Sequence, residues 1–256
     1  MLSVLGQTYG RMEYIIIDGG STDGTQEIIE RVRRETEGAE KRIVWYASEP
    51  DKGIYDAMNK GLAHASGDWV NFMNAGDAFA DDQVLEDIFG EKPFGKADLS
   101  CVSEQLDLTC QSNLSESSYS IQTAINAEVK VIAGHTINVF AEHEEMQPVG
   151  WVGQLEKDIP FTHQAAFTRL DPTDPWRFDL MYRLSADYNL FHSIYKHHGA
   201  QAFLMLDRTI ARFDRTASTS YSNFRTAKKE YLCIQSAWTK AWWWNEWKRL
   251  WCGVYK

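Results

Sequence analysis

Apolar residues along the first hundred positions come in two alternating patterns, short unbroken runs and stripes at helical spacing. Tyr14, Ile15, Ile16 and Ile17 form a β-favouring run suited to a strand covered on both faces. Residues 26–34 then place Ile28, Ile29 and Val32 on one side of an amphipathic helix. Residues 42–46 predict a second strand, and 54–65 a helix with Ile54, Met58 and Leu62 on one stripe. Gly67 breaks that helix ahead of a third strand at 68–73, carrying Trp69, Val70, Phe72 and Met73. A short helix at 81–89 is closed by Gly90, and 97–102 reads as another strand. Strands alternating with helices predict an α/β fold with a mostly parallel, doubly wound sheet.

The middle of the chain is less regular. Residues 111–120 are polar and loop-like, whereas 129–140 have strand character. The pattern sharpens again from Phe161, through H-Q-A-A-F, R-F-D-L and S-A-D-Y-N-L-F, and the chain from about position 223 reads as helical.

The polar residues concentrate where the strands end. Asp18 follows the first strand directly, at the carboxyl edge where open α/β sheets hold their ligands. Gly19 and Gly20 allow close backbone approach, and Ser21, Thr22 or Asp23 can cap the next helix. The full run, Y-I-I-I-D-G-G-S-T-D-G-T, resembles the first nucleotide-reading segment of family-2 glycosyltransferases, which have the GT-A fold. A second stretch at 48–61, S-E-P-D-K-G-I-Y-D-A-M-N-K-G, is similar to members that build bacterial surface polysaccharides. In that family the loop and following helix line the donor pocket. Lys52 can reach a phosphate or a base edge, Gly53 lets the backbone pass close to a ligand, and Asp51 and Asn59 add polar contacts. Asp56 alone reads as part of a capped helix.

The third stretch is F-M-N-A-G-D-A-F at 72–79. The resemblance makes it the equivalent of the D-x-D signature, so Asp77 is expected to bind the metal on the nucleotide diphosphate, with Asn74 in support. Gly76 stands where relatives often carry an acid. A single carboxylate suits a Mg2+ or Mn2+ ion whose other ligands are waters and diphosphate oxygens. In the second half, His163 and Gln164 match the family's H-Q pair, near the acceptor side. Asp187 matches its catalytic base, with Asp179 as the nearby rival. An inverting transferase needs one carboxylate to take the acceptor hydroxyl's proton during attack on the anomeric carbon. His192, His197 and His198 lack metal spacing and read as surface or packing residues.

Charge narrows the partners. Positions 225–256 hold seven Lys/Arg against two Glu, so the first 224 residues carry −15 of a total of −10. An acidic body argues against nucleic acid as a partner. It would also repel a phosphorylated substrate unless a divalent cation intervened. Six of the ten tryptophans (Trp238, Trp242, Trp243, Trp244, Trp247 and Trp251) lie in the basic tail among Lys240, Lys248 and Arg249. That composition predicts a membrane-surface helix, consistent with a lipid-linked acceptor. No apolar run is long enough to cross a bilayer, which makes a cytoplasmic protein, peripheral on the inner membrane face, the expectation. Cys101, Cys110, Cys233 and Cys252 are widely spaced and read as reduced thiols.

The family normally opens with a strand and a P-x-Y-N turn ahead of the helix that ends S-V-L-x-Q-T-Y. Here Leu2 to Tyr9 reads L-S-V-L-G-Q-T-Y, so the resemblance implies a shortened relative or a start assigned late. The G-G-x-S pattern common after the last family strand is replaced by D-R-T-A-S-T-S at 214–220. The expected organisation is a GT-A-like domain over 1–222, donor half 1–98 and acceptor half 99–222, followed by the tail at 223–256. The expected function is metal-dependent, inverting transfer of a sugar, UDP-linked, to a polysaccharide or lipid-linked oligosaccharide. A non-catalytic relative serving as a membrane-associated scaffold is the alternative. A nucleotidyltransferase would carry a glycine- and lysine-rich phosphate loop near its start, which the sequence lacks.

Overall fold

The computed structural model describes residues 1–91, 128–216 and 223–237. The elements of the first half follow the apolar pattern. Helix α1 (Leu2–Leu5) leads to β1 (Tyr14–Asp18), α2 (Thr25–Glu35), β2 (Ile43–Ser48) and α3 (Ile54–Leu62). The third strand is shorter than its apolar run: β3 covers only Trp69–Val70, followed by β4 (Ala78–Phe79) and α4 (Val84–Phe89). The strand expected at 97–102 lies outside the described residues. The second half contributes β5 (Val131–Val139), β6 (Glu144–Gln147), β7 (Ala166–Arg169), α5 (Ala186–His198), β8 (Phe203–Asp214) and α6 (Phe224–Ala237).

These strands form two sheets. β1 and β2 pair in parallel, as a strand–helix–strand crossover requires. The larger sheet runs β3-β7-β5-β8-β4, with β6 added to β5. It is mixed: β5 and β8 are parallel, whereas β7 and β6 run antiparallel to β5, β3 to β7 and β4 to β8. β6 follows β5 after only residues 140–143, a connection that fits an antiparallel hairpin and has no room for a crossover. Alternation along the central strands splits the core in two. Val131 and Ala133 of β5 and Phe203 and Met205 of β8 face one cluster, with α5 and α6. Ile132, Leu204 and Leu206 face the other, with α1 and α4.

Three expectations change here. The apolar run of β1 is only half-buried at Tyr14 to Ile17, because among the described residues β1 has a strand neighbour on one edge only. Helix α6, expected to begin a separate tail, belongs to the main core: Cys233 and Ile234 are buried in it, and Tyr231 stacks on Tyr188 with centroids 4.1 Å apart. Cys233, the one cysteine among the described residues, is disulfide-bonded rather than a reduced thiol. The six tail tryptophans lie outside the described residues. Among the described residues, no helix is long and apolar enough to cross a membrane.

Candidate active site

A cleft of about 1300 Å³ opens between the two sheets, and its polar mouth gathers Asp18, Asp51, Asn74 and Asp77. Asp18 ends β1 and is 8% exposed. Its carboxylate accepts hydrogen bonds from the Ser21 hydroxyl (2.5 Å), the Ser48 hydroxyl (2.6 Å) and the amides of Ser21 (2.9 Å) and Gly20 (3.1 Å). Burial pushes its pKa up, but these donors together outweigh burial and hold it below the ordinary value. The carboxylate therefore locks the glycine turn in place, a structural duty in addition to any contact with a ligand. The cap of α2 falls on Gly24 rather than on Ser21, Thr22 or Asp23, although Asp23 accepts the Thr25 amide at 3.1 Å.

Gly19 is small for a reason visible in the cleft. A Cβ there would lie 2.5 Å from Asp51 Oδ2, so the missing side chain lets the 48–53 loop close over the end of β1. Asp51 also accepts the Gly53 amide at 2.8 Å. Lys52 beside it is exposed, and its amide is held by Asp56 at 3.0 Å, the capping part expected of Asp56. Asn59 is placed elsewhere than expected. Its side-chain amide pairs in both directions with the Phe178 backbone at 2.9 Å, and it does not line the cleft. It fastens α3 to the segment before α5.

Asp77 sits in the turn between β3 and β4, where Gly76 has φ +94°. A Cβ on Gly76 would lie 2.8 Å from Asp214 Oδ2, so glycine here is required by both backbone conformation and space. Asp214, which arrives from the end of β8, fills the space beside Gly76. Asp77 Oδ1 accepts the Asp214 amide at 3.0 Å, and Oδ2 accepts the Gln164 side chain at 2.9 Å. Burial nevertheless pushes the Asp77 pKa above the ordinary carboxylate value. Gln164 is 1% exposed, and its Oε1 is a buried acceptor with no partner.

The neighbouring His163 connects this turn to the far wall. One ring nitrogen, Nε2, lies 3.0 Å from Asn74 Nδ2, and the other, Nδ1, lies 3.2 Å from Asp187 Oδ2. Asp187 occupies the first turn of α5, with Ser185 at the cap position, so it is not merely the helix's capping acid. Its Oδ1 accepts the Tyr188 amide at 2.8 Å and lies 2.9 Å from the Tyr55 hydroxyl. Burial pushes the Asp187 pKa up; His163 and these two donors more than offset it, leaving it below the ordinary value. The rival Asp179 is exposed and bound into its own turn through the Met181 amide. His192 is buried at 1% exposure and its pKa is lowered to about 4 by burial, while His198 pairs with Asp174 at 3.0 Å.

The structure thus connects Asn74, His163 and Asp187 in one hydrogen-bonded chain, beside a second chain through Asp77 and Gln164. His163 and Gln164 lie between the two, bridging the halves. Sequence reading missed Tyr55 and Asp214. Tyr55 lies inside the quoted 48–61 stretch but looks like a core aromatic; Asp214 opens the D-R-T-A-S-T-S segment and carries no local signal.

Comparison with known proteins agrees with this architecture. Residues 1–105 match the family model described as "Glycosyl transferase family 2". An uncharacterized glycosyltransferase of Mycobacterium tuberculosis is 44% identical over 84 residues, 32% of this chain and 29% of that protein. A PGL/p-HBAD biosynthesis glycosyltransferase of Mycobacterium bovis is 35% identical over 83 residues, covering 32% of this chain and 31% of that protein. The similarity thus spans less than a third of the length of either relative. Crystal structures of S. aureus TarS 1-349 cover 96% of this chain at 14% identity: the complex with UDP-GlcNAc has a TM-score of 0.54 and matches over 63% of its own length, the complex with UDP a TM-score of 0.53 over 62%. That likeness shows the fold, a GT-A architecture. The similarity to glycosyl transferase family 2 thus lies in the first 105 residues, which hold β1 to α4 and the Asp18 and Asp77 turns.

Proposed function

We propose that the protein transfers a sugar, with inversion, from a nucleotide-diphosphate donor to a saccharide or lipid-linked saccharide acceptor. The observation that carries this reading is the paired network in which adjacent residues, His163 and Gln164, hold Asp187 and Asp77 respectively. A base and a diphosphate-side carboxylate are thereby set by one short segment. UDP is the favoured nucleotide, supported by the UDP and UDP-GlcNAc complexes of the structurally similar TarS.

In this reading Asp18 and Asp51 hold the nucleoside at the mouth, with the exposed Lys52 reaching its phosphates. Asp187 takes the proton of the acceptor hydroxyl as that oxygen bonds to the anomeric carbon. The bond from that carbon to the diphosphate oxygen breaks on the opposite side, and its electron pair leaves with the diphosphate. Tyr55 and His163 keep the Asp187 carboxylate aimed. The residues around Asp77 fit a divalent cation: a carboxylate whose charge its present partners under-compensate, Asp214 behind Gly76, and the unpartnered Gln164 oxygen. Mg2+ or Mn2+ bound there would offset the charge of the departing diphosphate. Among the described residues, no three His, Cys, Asp or Glu side chains converge as a self-sufficient metal site, so diphosphate oxygens would complete the set.

The tryptophan- and lysine-rich segment beyond α6 would place the protein on a membrane surface, where a lipid-linked acceptor resides. The second reading is a membrane-associated binding or scaffold protein without turnover. Release of UDP from UDP-sugars in the presence of Mn2+ separates the two readings, since a binding protein retains its donor intact.

A further inference from the structure

We propose that Glu230, on α6, is a positioning residue for Asp187: it fixes the backbone turn from which that carboxylate is presented. The assignment rests on Asp187 being the base of the proposed transfer, and it adds to the site a helix that no motif of the sequence pointed to. Glu230 is 5% exposed, a rare place for a carboxylate. Both of its oxygens are engaged by backbone. Oε1 accepts the Arg183 amide and Oε2 the Leu184 amide, each at 3.0 Å, across 47 and 46 positions of sequence. Among the described residues it forms no ion pair, so these two amides are its partners. They belong to consecutive residues that lead directly into the cap of α5.

The start of α5 is set from outside the helix. Ser185 occupies the cap position, yet its side chain makes no capping bond, and its hydroxyl lies 3.5 Å from the Ala227 carbonyl of α6. The usual local device is therefore unused, and α6 takes its place. Leu184 is gripped at both ends, its amide by Glu230 and its carbonyl at 3.1 Å from the Tyr55 hydroxyl. That hydroxyl also lies 2.9 Å from Asp187 Oδ1, so a shift of Leu184 would move a partner of the base. On the other side of Asp187, the Tyr188 ring stacks on Tyr231, and its hydroxyl accepts from the Gln235 side chain at 3.2 Å. Residues before and after Asp187 thus both lean on α6. A carboxylate facing the first turn of α5 also meets the positive end of the helix dipole, which favours a charged acceptor over a neutral one. Glutamine at this position would turn an NH2 group toward one of the two backbone donors and leave that amide without its acceptor. Glu230 acts through these neighbours and not on substrate.

The test is a double-mutant cycle on the full 256-residue chain. Turnover is read as UDP release, with Mn2+ present, from a set of UDP-hexoses and UDP-N-acetylhexosamines, and donor binding is titrated alongside. In the otherwise wild-type chain, Glu230→Gln should lower turnover by about 10- to 100-fold, the range expected when a reacting group is misplaced by up to about 1 Å. Donor affinity and the number of donor sites should stay unchanged. In an Asp187→Asn chain the same substitution should alter the residual turnover by less than about twofold, because the base it places is gone. A merely structural role gives another pattern: turnover and donor sites fall together, by the same factor in both backgrounds. That pattern would overturn the proposal, and so would undiminished turnover in Glu230→Gln. Glu230→Asp keeps the carboxylate, shortens its reach by one methylene and carries the same cycle if the glutamine variant does not fold. Its loss should be smaller in the wild-type background and absent in Asp187→Asn. A folded wild type that releases no UDP from any of these donors would remove the transferase reading itself and this inference with it, a result distinct from every outcome of the variants.

Discussion

The Tyr55 hydroxyl lies 2.9 Å from Asp187 Oδ1, joining the first turn of α3 to the first turn of α5 across 132 positions of sequence. The same hydroxyl is 3.1 Å from the Leu184 carbonyl, and Tyr55 is buried at 6% exposure. The donor-side helix is thereby tied to the carboxylate proposed as the base. Tyr55→Phe removes the tie and leaves the ring in place. A lost hydrogen bond of this kind is worth about 1 kcal/mol, so transfer should slow roughly fivefold with donor affinity unchanged. Steady-state kinetics checks this: a fall in donor affinity with unaltered turnover would place Tyr55 in the donor pocket instead.

Asp187→Asn keeps the side chain's shape and removes its basicity. Transfer should fall by about 10²- to 10⁴-fold, the usual contribution of a general base, while donor binding persists. Because the Asp187 pKa is held below the ordinary carboxylate value, the group is ionised in the folded state well into the acid range. Its contribution to stability is present above the unfolded value of about 3.9 and disappears as pH falls through the lower folded value. Acid unfolding of Asp187→Asn should accordingly lack that component. An unchanged acid transition would show that the His163 and Tyr55 contacts do not act on this carboxylate.

Asp77 has the opposite sign. Burial raises its folded pKa, so its contribution to stability is full below the unfolded value and is lost as pH rises through the folded one. A divalent cation should restore that loss. At pH 7, Mn2+ should raise the melting temperature of the wild type, the increment vanishing as pH falls through the folded pKa of Asp77 and absent in Asp77→Asn. Equal Mn2+ stabilisation of both proteins would move the cation away from Asp77.

Asn59 yields a prediction that separates architecture from binding. Asn59→Ala leaves the Phe178 amide without its partner and should destabilise the fold by about 1–3 kcal/mol. Donor affinity of the folded fraction should be unaltered. Denaturant unfolding together with donor titration distinguishes this from a donor-pocket role, which would give weak binding at normal stability.

Local pattern made the first half of the fold legible, because α2, β2 and α3 each bury one stripe set by their own sequence. It did not reveal the mixed second sheet, since pairing of β7 and β6 against β5 depends on residues far apart in the chain. For the candidate site, Asp18 could be placed at a strand end from the apolar run before it, whereas Asp77 and Asp187 were singled out through the family resemblance, and their roles are proposals. Asn59 was misread because helical spacing says which face a residue occupies, not that its amide is already committed to Phe178. Asp214 escaped notice because only the steric vacancy at Gly76 gives it meaning.

The account stands on an acidic cleft mouth that takes up an activated sugar with the help of a cation at Asp77. Isothermal titration of UDP-sugars into the folded chain, with and without Mn2+ and with Asp77→Ala alongside, tests this most directly. Uptake that needs Mn2+ and is lost in Asp77→Ala is the predicted result. Absence of uptake for every nucleotide sugar, or undiminished uptake by Asp77→Ala, would contradict it.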